Sequence, residues 1–223
     1  MAENIVVGSR KEQGLENLKA MTLDMFLQLE KMVDLSKILL ETNDREIALQ
    51  IIEEDDYMDD FLSDITIEIS NYIIKEQPIA VDLRICLGTL KLILDLERIG
   101  DYFKNFAKFT LKEDIESKTQ QNLVSELLNQ IQLRTVEVKS AYMNLDHKAA
   151  KQIAKRDREI DELTGKLLDS VNKKLVKASS DTDVKSLSRV IKLARTFERS
   201  GDHLVNICEQ ISYINRGQIY HYS

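Results

Sequence analysis

The sequence is poor in residues that bend chains. One proline and seven glycines in 223 residues are too few for a β-sandwich or barrel, which needs a turn every ~8–12 residues. Neither G-x-G-x-x-G nor G-x-x-x-x-G-K-[ST] occurs, so the phosphate-cradling loops of doubly wound α/β folds are missing. The two cysteines, Cys86 and Cys208, lie too far apart for a C-x-x-C metal or redox motif. The three histidines, His147, His203 and His221, complete no E-x-x-H or H-E-x-x-H pattern, which disfavours histidine-rich zinc and ferritin-type di-iron centres. No apolar run reaches the ~18 residues of a membrane span. Residues 1–8 carry no basic region and no long apolar stretch, so no secretory signal and no direct membrane insertion are predicted. A cytoplasmic location is the expectation.

Charge is plentiful but unevenly shared. Residues 1–113 carry 13 Lys and Arg against 23 Asp and Glu, net −10, and residues 114–223 carry 18 against 15, net +3. Nucleic-acid binding needs clustered basic residues, so no nucleic-acid partner is expected. The polarity suits steering of a protein partner or self-association, or it reflects ordinary solvated helix faces.

Long helices with short connections remain, and the chain contains them twice. Glu97-Arg-Ile-Gly-Asp-Tyr-Phe-Lys-Asn105 recurs 101 residues later as Glu198-Arg-Ser-Gly-Asp-His-Leu-Val-Asn206. Upstream, Asp44, Ala48, Ile51, Asp55 and Asp59 recur 102 residues later as Asp146, Ala150, Ile153, Asp157 and Asp161. The one-residue slip falls between Gln77-Pro78 and Ser179-Ser180, where a turn absorbs it. Apolar residues at alternating spacings of three and four predict six long helices, three per repeat, packed as two tandem antiparallel bundles. The expected fold is all-α, with units at 1–113 and 114–223. Thr42-Asn43-Asp44 and Asn144-Leu145-Asp146 offer N-caps for the second and fifth helices, and Pro78 ends the second and suits the first turn of the third.

The chemistry lies in the seams of the second and fifth helices. Ala48, Ile52, Asp55, Asp59, Leu62, Thr66 and Ile69 form one predicted seam, and Ala150, Ala154, Asp157, Asp161, Thr164, Leu168 and Val171 the other. Burying a lone carboxylate costs several kcal/mol or raises its pKa, so a leucine at Asp55 or Asp157 is expected to suit the metal-free bundle better. A hairpin about Pro78 sets Asp59 level with Glu97 and Asp55 level with Asp101. A hairpin about Ser179-Ser180 sets Asp161 level with Glu198 and Asp157 level with Asp202. Each hairpin then gathers four carboxylates, an oxygen-only set suited to iron, manganese, magnesium or calcium, with zinc as a borderline case. Asn105 and Asn206 can add an amide oxygen one turn on, and Arg98 and Arg199 can orient a carboxylate or meet an anion. In the plainer alternative, Glu97 and Asp101 face water opposite the apolar stripe and pair with Arg98, Lys104, Arg195 or Arg199.

These features together resemble the PhoU family of phosphate-uptake regulators. The resemblance covers nearly the whole chain: the two three-helix repeats, Gln77-Pro78-x-Ala80-x-Asp82-Leu83-Arg84 opening the third helix, Leu96-Glu-Arg-Ile-Gly-Asp101 followed by Asn105, and the paired E/D-x-x-x-D motifs. It departs at Ala178-Ser-Ser-Asp-Thr-Asp-Val-Lys185, which replaces the Gln-Pro and Asp-Leu-Arg elements in the second unit. The resemblance implies a cytoplasmic, often dimeric regulator that carries multinuclear iron or zinc clusters on the E/D-x-x-x-D motifs. It implies action with the ATPase of the phosphate-specific ABC transporter and with a sensor histidine kinase, restraining uptake and starvation signalling when phosphate is plentiful. A non-enzymatic role is the expectation. The alternative is a carboxylate-bridged oxidase or phosphatase, which the lack of histidine ligands and of a nucleophile–base pair opposes.

Overall fold

A computed structural model describes the backbone of residues 2–115 and 117–222, and side chains from residue 10 onward within those ranges. Among the described residues there is no strand. The helices are α1 (Ala2–Thr42), α2 (Arg45–Glu76), α3 (Ala80–Thr110), α4 (Lys118–Met143), α5 (His147–Ala154), α6 (Arg158–Leu175) and α7 (Asp181–Arg216).

Local chemistry places the ends. The Asp44 carboxylate accepts from the Glu46 N–H at 2.8 Å, and Asp146 accepts from Lys148 and Ala149 at 2.9 and 3.1 Å. Ser180 caps α7 by accepting from the Asp183 N–H at 3.1 Å. Each satisfies first-turn donors that have no partner within the helix. Gln77 takes a left-handed conformation and its N–H reaches the Ile73 carbonyl, closing α2. Pro78 lies in the connection after it rather than in the first turn of α3, which starts at Ala80 behind the extended Ile79.

The expected fifth helix is interrupted. Lys155, Arg156 and Asp157 form a tightened turn in which the Asp157 N–H bonds to the Ala154 carbonyl at 3.1 Å and the Ile160 N–H to the Asp157 carbonyl at 2.8 Å. The cause is long-range: the buried guanidinium of Arg134 on α4 donates to the Arg156 carbonyl at 3.0 Å and to Glu159 at 2.8 Å. A side chain that takes a backbone carbonyl out of the ladder is a known source of helix breaks.

The repeat is visible in the core itself. The buried positions of α1, among them Leu18, Thr22, Leu29, Met32 and Leu39, recur 102 residues later on α4 as Gln120, Val124, Ile131, Arg134 and Ala141. Leu92, Leu96, Ile99, Gly100 and Phe103 on α3 recur 101 residues later on α7 as Leu193, Phe197, Ser200, Gly201 and Leu204. The halves share one core. Phe26 of α1 meets Tyr142 of α4 at 6.0 Å between ring centroids, the Tyr142 hydroxyl lies 3.0 Å from that of Thr89 on α3, and Lys139 reaches Glu30 at 2.8 Å. Helices α3 and α7 run antiparallel, since Gly88 faces Ile214 while Phe106 faces Phe197. Tyr102 and His203 are repeat equivalents, and they touch each other with centroids 5.6 Å apart. The repeated motifs therefore flank the axis that relates the halves.

Candidate metal centre

The seam of α2 is Ala48, Ile51, Asp55, Met58, Ile65, Ile69 and Tyr72. Ile51, Met58 and Ile65 replace the expected Ile52, Asp59 and Thr66. Asp55 is inside, only 3% exposed, whereas Asp59 stands at the exposed edge of the helix. The second unit repeats this arrangement: Ile160 takes the inner position, Asp157 is half-buried and Asp161 is exposed. The first aspartate of each pair is the more deeply sheltered.

The glycine of each E-R-x-G-D motif explains how that aspartate fits. A Cβ on Gly201 would stand 2.5 Å from Asp157 Oδ1 and 3.3 Å from the Ile160 side chain. A Cβ on Gly100 would lie 3.1 Å from Met58 and 3.5 Å from Asp55 Oδ1. The missing side chain lets α3 and α7 approach closely enough to form a cradle for the carboxylate. It also brings the expected partners level. Burial raises the Glu97 carboxyl, Arg98 opposes this, and Asp101, Asp59 and Asp55 add to the rise. Burial also raises Asp157, to about 7, helped by Asp161, Asp202 and Glu198 and opposed by Arg134. Asp161 and Asp202 shift upward too, first from burial and then from neighbouring carboxylates. Glu97 keeps 15% of its side chain exposed and Asp101 36%, so they sit at the margin of the apolar stripe rather than opposite it.

The sets differ in how their charge is met. In the first, the Lys104 ammonium donates to Asp55 Oδ2 and lies 4.0 Å from Asp101 Oδ1. Arg98 lies 3.6 Å from Glu97 and 3.7 Å from Asp101. Asp55, Asp56 and Asp59 bring carboxylate oxygens within 4.8 Å of one another; Asp56 was not among the expected ligands. The adjacent Glu54 is 6% exposed. Burial works to raise its pKa, but Lys31 at 2.7 Å and Gln28 at 2.8 Å outweigh that and lower it.

In the second set, Glu198 pairs with Arg195 at 2.5 Å. Among the described residues Asp157, Asp161 and Asp202 form no ion pair within 4.0 Å. The repeat equivalent of Lys104 is Val205, which is buried. A cavity of about 550 Å³ opens here, lined by Ala154, Lys155, Asp157, Arg158, Asp161, Asp202, Val205, Asn206 and Tyr222. Tyr222 is held by hydrogen bonds from its N–H to Glu209 and from its hydroxyl to Ser212, both 2.8 Å. Asn206 donates to Asp95 at 3.2 Å, and His203 Nδ1 lies 2.7 Å from the same carboxylate. Arg199 and Asn105 are exposed. Sequence reasoning missed Arg134 and Tyr222 in this region, because neither lies in a repeated motif.

The donor chemistry fits a cation. Each set offers oxygen ligands from two facing helices. Each aspartate at its centre is seated against a glycine, and one set already holds an ammonium.

Comparison with known proteins agrees with the fold and the repeat. The PhoU domain matches the chain twice, over residues 22–110 and 124–211. A phosphate-specific transport system accessory protein PhoU homolog of Borreliella burgdorferi is 32% identical over 211 residues, spanning 92% of this chain and 94% of the relative. One from Clostridium acetobutylicum is 28% identical, spanning 93% and 94%. The crystal structure of PhoU from Pseudomonas aeruginosa superposes with a TM-score of 0.84 at 27% identity, covering 93% of this chain and 99% of that one. The phosphate transport system regulatory protein PhoU from Streptococcus pneumoniae shares the fold, with a TM-score of 0.86 at 21% identity over 95% of this chain and 99% of that one. Two matched domains that together cover most of the sequence, on the same helices that build the two carboxylate sets, establish that the chain belongs to the PhoU family.

Proposed function

We propose that the protein is an accessory regulator of a phosphate transport system and that its two carboxylate sets are cation sites. Its relatives are named as accessory and regulatory proteins rather than enzymes, and the regulatory role follows from that kinship. The observation that carries the cation role is the repeated placement of a sheltered aspartate beside a motif glycine, level with carboxylates of the facing helix. Asp55, Asp59, Glu97 and Asp101 would hold one site, and Asp157, Asp161, Glu198 and Asp202 the other. Iron or zinc is the expected occupant, with manganese, magnesium or calcium as alternatives of matching chemistry. A bound cation supplies positive charge between facing helices, and so ties α2 to α3 and α6 to α7. No described helix is long and apolar enough to cross a membrane. Regulation of a transporter would then proceed by docking, with the transporter ATPase and a sensor histidine kinase as partners and a homodimer as the assembly. The net −10 of one half against +3 of the other makes such docking salt-sensitive.

Elemental analysis of protein purified without added metal tests the cation role, and a pull-down of the transporter ATPase at low and high ionic strength tests the docking. Bound metal and salt-sensitive capture are expected. Metal-free protein that also takes up none on titration contradicts the first part, and no capture at low salt contradicts the second.

A further inference from the structure

The repeat aligns Lys104 with Val205, and this pair breaks the symmetry of the two sets. Lys104 is an ammonium seated among carboxylates: it donates to Asp55 and stands near Asp101. Val205 presents only methyl groups to the cavity that Asp157, Asp161 and Asp202 line. On the first set, then, a cation is already present and covalently tethered. On the second, the same cradle of glycine and aspartate has, among the described residues, no side-chain cation bonded to its aspartate.

We propose that Lys104 is a built-in competitor that holds the first carboxylate set against metal, so that the second set, with Val205 in its place, is the tight cation site of this chain. The inference rests on the proposed cation role and adds an order of filling to it. A metal entering the first set must displace the ammonium from Asp55 and leave it facing a second positive charge. A metal entering the second set displaces at most the exposed Arg195 from Glu198 at its edge, and no cation bonded to the more buried Asp157. The neighbouring cations do not restore the balance: Arg98 remains at the rim of the first set, Arg195 binds only Glu198 at the edge of the second, and Lys155 and Arg158 line the second cavity as exposed side chains that form no ion pair within 4.0 Å with Asp157, Asp161 or Asp202. The buried Arg134 donates from Nη2 to the Arg156 carbonyl and to Glu159 and forms no ion pair within 4.0 Å with Asp157. Because Lys104 is 21% exposed on its side chain, it can swing to solvent when displaced. The first set should therefore fill late rather than never.

The test is a titration of chelator-stripped full-length protein with Zn²⁺ alone, read by competition with a chromogenic chelator. Wild type should fill in two phases separated by about tenfold or more, equivalent to about 1.4 kcal/mol. Lys104→Val should merge the phases by tightening the weaker one, and Val205→Lys should weaken the tighter one. As a check that needs neither variant to fold well, Asp157→Asn should remove the tight phase while Asp55→Asn leaves it. Equal phases in wild type that Lys104→Val does not alter would overturn the inference and leave the cation role standing. Loss of the tight phase in Asp55→Asn instead of Asp157→Asn would also overturn it. No uptake by wild type or by Lys104→Val would overturn the cation role itself.

Discussion

The two halves meet the same burial problem with different cations. Both place an aspartate beside a glycine on the facing helix, Asp55 with Gly100 and Asp157 with Gly201. In the first half, Lys104 on α3 reaches the aspartate, and Met32 fills the corresponding position on the remaining helix. In the second, Val205 replaces the lysine and the cation moves to Arg134, the equivalent of Met32, which bonds to the break in the facing helix instead of the aspartate. One half therefore has a carboxylate paired with a lysine on an unbroken helix, its pKa still raised by burial against the pull of Lys104. The other has an uncompensated carboxylate at a helix break, where the carboxyl is pushed to about 7. A repeat can thus keep its fold and its carboxylates while the electrostatics of its two copies diverge through two substitutions.

The largest expected effect is on the first half. Lys104→Val leaves the 3%-exposed Asp55 without its partner, and breaking a mostly buried pair in this way costs about 3 kcal/mol. Urea unfolding of metal-free protein at pH 7 should show that loss, and an unchanged midpoint would mean that Lys104 contributes nothing to Asp55. Added Zn²⁺ acts next, through the second half. At one hundred times the dissociation constant it stabilises by about 2.7 kcal/mol, so thermal unfolding should shift upward in wild type and much less in Asp157→Asn.

A smaller effect is the dependence on pH. The Asp157 carboxyl titrates near 7 in the fold against about 3.9 unfolded. The native state therefore holds a proton that the unfolded chain has released. Its contribution to stability is full below about pH 4, falls as pH rises toward 7 and is flat above. Allowing for solvent screening of this half-exposed group, the loss is roughly 2 kcal/mol. The metal-free Asp157→Asn variant should lack this slope. The smallest effect separates the two glycines. Gly201→Ala puts a methyl group against the Asp157 carboxylate and Ile160, whereas Gly100→Ala meets mainly the flexible Met58. An alanine in mid-helix gains about 0.5–1 kcal/mol over glycine. Gly100→Ala should therefore be near neutral, while Gly201→Ala should be about 1 kcal/mol worse than Gly100→Ala and should weaken Zn²⁺ uptake at the second set.

Much of this was legible in the sequence because the chain states it twice. The helices, capping segments that contain Asp44 and Asp146, both hairpins and the level placement of the carboxylates follow from apolar spacing and the repeated motif. The inner face of α2 differs by one position on either side of Asp55, because Ile51 and Ile52 are both apolar and spacing alone does not choose between them. The break at Lys155–Asp157 has no local signal such as proline or glycine; it depends on Arg134, 22 residues before the carbonyl it takes. Spacing also does not say whether Asp55 is unpaired. Without Lys104 in contact, a leucine at either aspartate looks favourable; the contact reverses that expectation for Asp55 and leaves it for Asp157.

That reversal gives the most direct test of the claim that the halves are equivalent in fold and differ in whether a lysine pairs with the sheltered aspartate. Equilibrium urea unfolding of metal-free Asp55→Asn and Asp157→Asn, beside wild type at pH 7, compares the same chemical change at the two repeat-equivalent positions. The account predicts opposite signs: Asp55→Asn destabilises by about 1–3 kcal/mol because Lys104 loses its charged partner, and Asp157→Asn stabilises by about 1–2 kcal/mol because a half-buried, repelled charge is removed. Changes of the same sign and similar size in the two variants would contradict it.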